Sequence, residues 1–401
     1  MRVSIGYSEN PDTSTAGTQA ALDALNHAGV QRRCDMVLLF TTSRHDAQLL
    51  HDAVASIVGH ETPIVGGGSV GIITKDYLGY AGHQVGLAVF WFEGINCQIF
   101  AEPGLRQSEK ATGERLGKRL AEIGTAPDSS VLLFYDSIDR TQGDPRLLMA
   151  TPMLEGIEKG LGFLPKLVGA GMIGDYFFTP IKQWVGHGLG EHQAVALLFD
   201  GGLRIDSAIM HGCYPATGYY TVTKAEKQVI LEINGQPALK FLKSILGSAL
   251  KPEEYAFLII LGINEGEKWD DFHEDNYANR LVLSVDKERD GVVMFEPDMV
   301  EGTRFQIMHR SLNLDYIPPK IDELFASLQN RKLVFALYIN CSGRAAGISG
   351  KDIEDGYVVQ NSVRGRVPLL GIYSGVEIAP VKGRSRALDW TGIFCLFSVP
   401  E

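Results

Sequence analysis

Val37-Leu38-Leu39-Phe40 recurs letter for letter as Val131-Leu132-Leu133-Phe134, and the pattern around it recurs too. Before the first copy, Val3–Tyr7 alternates as a short strand, Asn10-Pro11-Asp12 breaks it, and Asp12 or Thr13 caps a helix reaching about Ala28. After it, Leu50, Ala53, Val54 and Ile57 fall at i, i+3, i+4, i+7, one apolar helix face. Pro63-Ile64-Val65, a glycine cluster and the strand Val85–Phe92 follow. The second copy continues through a helical stretch at Leu147, Leu154, Ile157 and Leu161, then Leu167-Val168, Gly169-Ala170-Gly171 and the strand Ala194–Phe199. A fainter third copy runs through Leu333–Ile339, Pro368-Leu369-Leu370-Gly371 and Gly392–Phe397. The expected fold class is α/β, with duplicated strand-helix-strand units forming mixed sheets in two closely packed halves.

Asp200-Gly201-Gly202 closes the second copy, which places a boundary near residue 205 and the two halves at 1–205 and 206–401. In the second half Val222–Lys224, Val229–Ile233, Tyr255–Ile263, Arg280–Val285 and Gly291–Phe295 read as strands, with the acidic loop Trp269–Asp275 among them. Asn234-Gly235-Gln236-Pro237 leads into a helix at Ala238–Leu246, and Pro318-Pro319 precedes a last helix around Ile321–Leu328.

The 401 residues include 45 glycines, well above the ~7% of average usage, an excess that calls for turns and close backbone contacts. Lys and Arg number 37 against 48 Asp and Glu, a net charge of −11, which argues against nucleic acid as a partner. Five scattered cysteines without a CxxC pair give neither a disulfide framework nor a zinc knuckle, and fit a reducing, cytoplasmic setting. Apolar runs such as Tyr255–Ile263 fall far short of the ~20 residues that span a bilayer, so no membrane association is expected.

Gly66-Gly67-Gly68-Ser69-Val70-Gly71 meets both G-x-G-x-x-G and G-x-S-x-G. A dinucleotide cradle needs a helix opening at the last glycine, and Ile72–Gly82 has no helical period. A nucleophile elbow at Ser69 likewise needs strand-turn-helix with Asp and His downstream; this serine hydrolase reading predicts ester turnover lost in Ser69→Ala. A backbone turn with close contacts is the plain alternative. Cys341-Ser342-Gly343-Arg344 follows the apolar strand Leu333–Ile339, where side chains line ligand clefts; a thiolate beside Arg344 would be nucleophilic, whereas a small buried Cys would be structural. His187 and Glu191-His192 are separated by glycines that forbid a metal-binding helix face.

In order along the chain, these features resemble the FIST family of bacterial sensory proteins. The residues that carry the likeness are Gly6-Tyr7-Ser8, Arg44-His45-Asp46, Pro63 through Ser69, His211-Gly212-Cys213-Tyr214-Pro215, Val222-Thr223-Lys224-Ala225, Asn234 through Ala238, Asn279-Arg280-Leu281, Phe295-Glu296-Pro297-Asp298, Cys341 through Arg344, and Glu377-Ile378-Ala379-Pro380. The chain departs from the family pattern at Val376, where a Gly usually stands, and at Asp389-Trp390, where an Asn-Gln-like pair does. The resemblance implies a FIST N-like first half, a FIST C-like second half and a module that binds a small molecule, such as an amino acid. It implies a signal handed to a separate partner, and no catalytic activity. It also implies an alternative, a haem-binding nitric oxide sensor acting on a histidine kinase, for which His211 or His45 would be the axial ligand. No cofactor is otherwise expected. For an amino-acid-like ligand, Arg344 suits the carboxylate, Glu377 the ammonium, Cys341 the strand-end wall, and Gly67, Gly68 and Ser69 an anion held by backbone N–H groups. Arg344 and Glu377 pairing with each other is the structural alternative.

Overall fold

In the computed structural model, which describes residues 1–141, 143–247, 250–256, 258–350 and 352–401, the apolar runs alternate between two cores. Leu38 and Phe40, Leu132 and Phe134, and Leu337 and Ile339 point into one central cluster. Their neighbours Val37 and Leu39, Val131 and Leu133, and Ala336 and Tyr338 point outward to separate clusters under the helices. That period of two, apolar on both faces, is what a strand buried on both sides requires. The Phe40 and Phe134 rings meet edge to face at 5.3 Å where two sheets pack.

The first unit runs β1 (Arg2–Ser8), α1 (Thr13–Ala28), β2 (Met36–Thr41), α2 (Ala47–Val58), β3 (Ile64–Gly68), the hairpin β4 (Gly71–Thr74) and β5 (Leu78–Tyr80), then β6 (Val85–Trp91). The second repeats it: β7 (Cys97–Pro103), α3 (Glu109–Glu122), β8 (Ser130–Asp136), and a short pair β9 (Ile138–Asp139) and β10 (Arg146–Leu147). It continues with α4 (Ala150–Leu161), β11 (Lys166–Met172), the hairpin β12 (Gln183–Gly186) and β13 (Gly188–Gly190), and β14 (Gln193–Phe199). The third opens with β15 (Arg204–Met210) and takes a long insertion. It resumes with α6 (Ile317–Ser327), β24 (Lys332–Cys341), the one-turn α7 (Ala346–Ser349), α8 (Asp355–Val363), β25 (Leu369–Ser374), the hairpin β26 (Val376–Val381) and β27 (Arg384–Leu388), and β28 (Gly392–Val399).

The sheet orders are β1-β6-β2-β3-β12-β13, β7-β14-β8-β11-β26-β27 and β15-β28-β24-β25-β4-β5. Each unit thus lends its hairpin to another unit's sheet, in a closed cycle of three. Within each of the first two units, glycine lets the third strand lie close against its own neighbour, β3 on β2 and β11 on β8. At Gly66 (φ 147°) a Cβ would stand 1.9 Å from the Leu39 carbonyl oxygen, and at Gly169 the same 1.9 Å from that of Leu133. Only glycine permits that approach.

The insertion carries β16 (Cys213–Pro215), β17 (Tyr220–Glu226), β18 (Val229–Ile233), β19 (Gln236–Pro237), α5 (Ala238–Leu246), β20 (Ile260–Asn264), β21 (Tyr277–Asp286), β22 (Gly291–Met294) and β23 (Arg304–Arg310). Its pairings close on themselves through β20-β21-β22-β18-β17-β23 and back to β20, a six-stranded barrel. The α/β expectation holds, and the third copy is a full unit. The position expected as a boundary, residue 205, lies in β15, where Ile205 pairs with Phe397. The strand expected over Tyr255–Ile263 begins only at Ile260, after a 3-10 turn at Pro252–Glu254; residue 257 of that stretch lies outside the described residues. Pro318 and Pro319 sit in the first turn of α6 rather than before it, where their missing N–H groups cost nothing, and α6 is followed by α7 and α8.

Candidate functional site

Strand ends of the second and third units converge beneath the barrel on a cavity of about 480 Å³. Ser137 follows β8, Ile173 follows β11, Cys341 ends β24, Gly375 and Val376 join β25 to β26, and Asp389-Trp390 follow β27. The barrel supplies Leu281, Phe295, Glu296 and Arg310, and the wall between is mostly aliphatic and aromatic. Carboxyl ends of strands are where α/β sheets offer crevices, and this size suits a metabolite.

Trp390 organises one end. Its backbone is left-handed, φ 52°, a rare state for a bulky residue that persists only where the surroundings impose it. Arg344 Nη1 donates to the Trp390 carbonyl at 3.0 Å, and the next N–H, of Thr391, donates to Glu377 Oε2 at 3.3 Å. Asp389 Oδ2 accepts the Leu281 N–H at 2.9 Å, tying the same segment to the barrel. The Arg310 guanidinium carbon lies 3.7 Å from the centre of the Trp390 ring, a cation–π contact. Burial lowers the Arg310 pKa from its ordinary value.

Carboxylates hold the other side. Glu296 accepts the Ala150 N–H at 2.9 Å and the Thr151 N–H at 2.8 Å. Met149, at the N-cap position of α4, provides no side-chain cap, so a barrel residue satisfies the helix instead. Burial pushes Glu296 up to about 7 against the pull of Arg280, and burial pushes Asp389 up to about 6. Arg280 is itself engaged in a fork with Asp298, Nε to Oδ1 at 2.6 Å and Nη2 to Oδ2 at 2.5 Å.

Of the residues singled out in the sequence, Cys341 lines the cavity. Its thiol is pushed well up by burial and the nearby Glu377, so the nucleophilic thiolate is corrected to a neutral wall group. Arg344 and Glu377 lie behind the wall, and the pairing suggested between them is also corrected. Arg344 pairs with Asp355 at 2.6 Å and donates to the carbonyl of His211 and the hydroxyl of Tyr316. Glu377 accepts the Ser374 hydroxyl at 2.7 Å, and burial raises its pKa well above the ordinary value. Both position Trp390 rather than lining the cavity.

Gly67, Gly68 and Ser69 lie elsewhere. Gly67 and Gly68 belong to β3, paired with Phe40 and Thr41 of β2, and the Ser69 N–H donates to the Thr41 carbonyl at 2.7 Å. Instead of an open anion nest, this segment is a strand and a strand-to-strand turn. The Ser69 hydroxyl is fully buried, donates to the carbonyls of Gly71 and Tyr373, and accepts the Tyr373 N–H. The strand β4, not a helix, follows it, and among the described residues its hydroxyl bonds only backbone groups, an arrangement unlike a nucleophile elbow. The histidines proposed for haem do not fit an axial role. His211 is buried, accepts the Cys213 N–H at Nδ1 and contacts the Glu274 carbonyl through Nε2, and burial pulls it down to about 4. His45 meets the Thr13 hydroxyl at Nδ1 and the His83 carbonyl at Nε2. Among the described residues no group of three or more His, Cys, Asp or Glu could hold a metal ion.

Arg310 and the roles of Glu296 and Asp389 escaped sequence reading. Glu296 and Asp389 lay in noted motifs, but nothing local marks Arg310, which reaches the cavity only because β23 closes the barrel.

Comparison with known proteins identifies the family. The FIST N domain model matches residues 35–236 and the FIST C domain model residues 238–380. The chain belongs to the FIST family. It is therefore a signal-transduction sensory domain protein, and no helix among its described residues is long and apolar enough to cross a membrane. An uncharacterised protein of Mycobacterium tuberculosis is 24% identical over 407 residues, 99% of this chain and 100% of the relative. A second M. tuberculosis protein and one from Mycobacterium bovis, also uncharacterised, are each 26% identical over 200 residues, 49% of this chain; the match spans about half of their length, 51%. A cyanuric acid hydrolase from A. caulinodans aligns over 100% of this chain and 99% of its own with a TM-score of 0.37 and 10% identity, too remote to carry an argument.

Proposed function

We propose that this FIST protein binds an amino-acid-like small molecule in the cavity beneath the barrel and relays its presence to a separate signalling protein. One observation carries the reading: the 480 Å³ apolar cavity has a guanidinium, Arg310, and two carboxyl groups, Glu296 and Asp389, in its lining. Arg310 takes the ligand carboxylate while its face rests on Trp390. Asp389 and Glu296 take the ammonium, and the aliphatic wall takes the side chain. The arrangement suits a zwitterion with an apolar body, since buried charges need partners of opposite sign. Binding would brace the barrel against the α/β units, because both contribute to the wall.

The test is a thermal-shift screen of amino acids and related metabolites on wild type, Arg310→Met and Asp389→Asn. At ligand concentrations about 100 times Kd, wild type should gain about 2.7 kcal/mol, a shift of a few degrees. Arg310→Met should lose the shift while still folding. A compound that stabilises Arg310→Met as much as wild type contradicts the assignment.

A further inference from the structure

The barrel carries an exposed surface that the ligand site does not use. In the loop between β20 and β21, Trp269 is 84% exposed and Phe272 36%, and Tyr214 on the barrel's edge strand β16 is 42% exposed. Phe272 stands 5.3 Å from both the Tyr214 and Tyr277 rings, while Lys268 lies over the Trp269 and Tyr219 rings. Large aromatics held at a surface by one another, rather than folded under it, mark a contact face. Around them Glu265 pairs with Arg386, and Glu274 and Asp275 pair with Lys320. Glu267, Asp270 and Asp271 make no ion pair among the described residues, so the rim of the face is acidic.

The same loop is wired to the cavity wall. Glu274 Oε1 accepts the N–H groups of His211 and Gly212, both at 2.6 Å, and its carbonyl contacts His211 Nε2 at 3.2 Å. The His211 carbonyl accepts Arg344 Nη1 at 2.8 Å, and that same nitrogen holds the Trp390 carbonyl. Against burial, Lys320 and the accepted Gly212 N–H bring Glu274 below the ordinary carboxylate value, so the carboxylate that clasps His211 and Gly212 is charged at neutral pH. A contiguous set of buried hydrogen bonds therefore joins Trp390 to the base of the aromatic loop.

We propose that the loop 265–276 and strand β16 form the face that docks the signalling partner, and that the partner presents a Lys/Arg-rich segment with an aromatic or aliphatic anchor. This rests on the sensory reading for its purpose, while the contact itself is testable without any cavity ligand. Trp269 and Phe272 supply the apolar seat, and Glu267, Asp270 and Asp271 steer and orient a basic segment.

Selection from a random peptide display library against the full chain tests it. The enriched peptides are then measured against wild type, Trp269→Ala/Phe272→Ser and Asp270→Asn/Asp271→Asn, at low and physiological ionic strength. Both double variants change exposed loop residues, and their melting transitions verify folding. Expected is enrichment of basic sequences carrying an aromatic or Leu, with affinity lower by about tenfold or more in each variant and falling with salt. No enrichment, enriched peptides without basic residues, or affinity untouched by either variant overturns the proposal. The cavity reading stands or falls separately, on the Arg310→Met thermal shift.

Discussion

The first and second units share one plan but treat the start of their second helix differently. In the first, Asp46 caps α2 from within, accepting the Leu49 N–H at 2.8 Å. The strand ends beside it, with Thr41, Thr42, Ser43, His45 and Gly68, leave only a pocket of about 220 Å³. In the second, α4 has no cap of its own, and Glu296 arrives from the barrel to satisfy two of its N–H groups. There the strand ends open on the 480 Å³ cavity. The larger cavity opens where a unit's local capping has been handed to the insertion, so the barrel and the α/β body meet there through polar groups.

The largest effect should come from the shared plan itself. Gly66→Ala and Gly169→Ala each drive a methyl into a carbonyl oxygen, and both should cost more than about 3 kcal/mol or prevent folding, measured by denaturant unfolding. Tolerance at one and not the other would break the equivalence of the units. Next, Asp46→Ala should cost about 1 kcal/mol, as exposed caps do, whereas Glu296→Ala should cost about 3, because it strands two N–H groups beside a buried Arg280. Equal losses would remove the distinction between local and borrowed capping.

Acidity sharpens the same contrast. Glu296 is raised from 4.5 to about 7, so the folded state binds its proton more tightly than the unfolded chain does. Its contribution is fully present below about pH 4.5 and is lost as pH rises to about 7. Wild type should therefore lose up to about 3 kcal/mol relative to Glu296→Gln across that window, in paired unfolding measurements at each pH. Wild type gaining stability relative to Glu296→Gln as pH rises would reverse the sign and contradict a buried, raised carboxyl. The smallest effect belongs to the first unit's pocket: His45→Ala should cost about 1 kcal/mol of stability and leave any ligand-induced thermal shift intact.

Much of the architecture was legible because it is local. Leu38 and Phe40 against Val37 and Leu39 is a two-sided strand in four letters, and Asp12 caps α1 where the break at Asn10-Pro11 predicts. Helix α8 was not, since Asp355-Gly356-Tyr357-Val358-Val359 combines glycine with β-branched residues that weaken helix signals, and its burial in tertiary contacts overrides them. The cyclic hairpin exchange was also hidden: Ile72 pairs with Ile372, a register no window of sequence contains. For the candidate site, strand-end reasoning reached the cavity through Cys341, and the family departures Val376 and Asp389-Trp390 line the same cavity. Arg344 and Glu377 lie one layer behind that wall, bonded to Asp355 and Ser374. The cation that faces the cavity, Arg310, is brought there by barrel closure, which depends on pairing between β20 and β23 across more than forty residues.

A crystal grown with the amino acid that stabilises the protein most tests the central claim directly. The account predicts ligand density beneath the barrel, its carboxylate on Arg310 and its ammonium toward Asp389 and Glu296. Density in the His45 pocket of the first unit, with the barrel cavity empty, would contradict it.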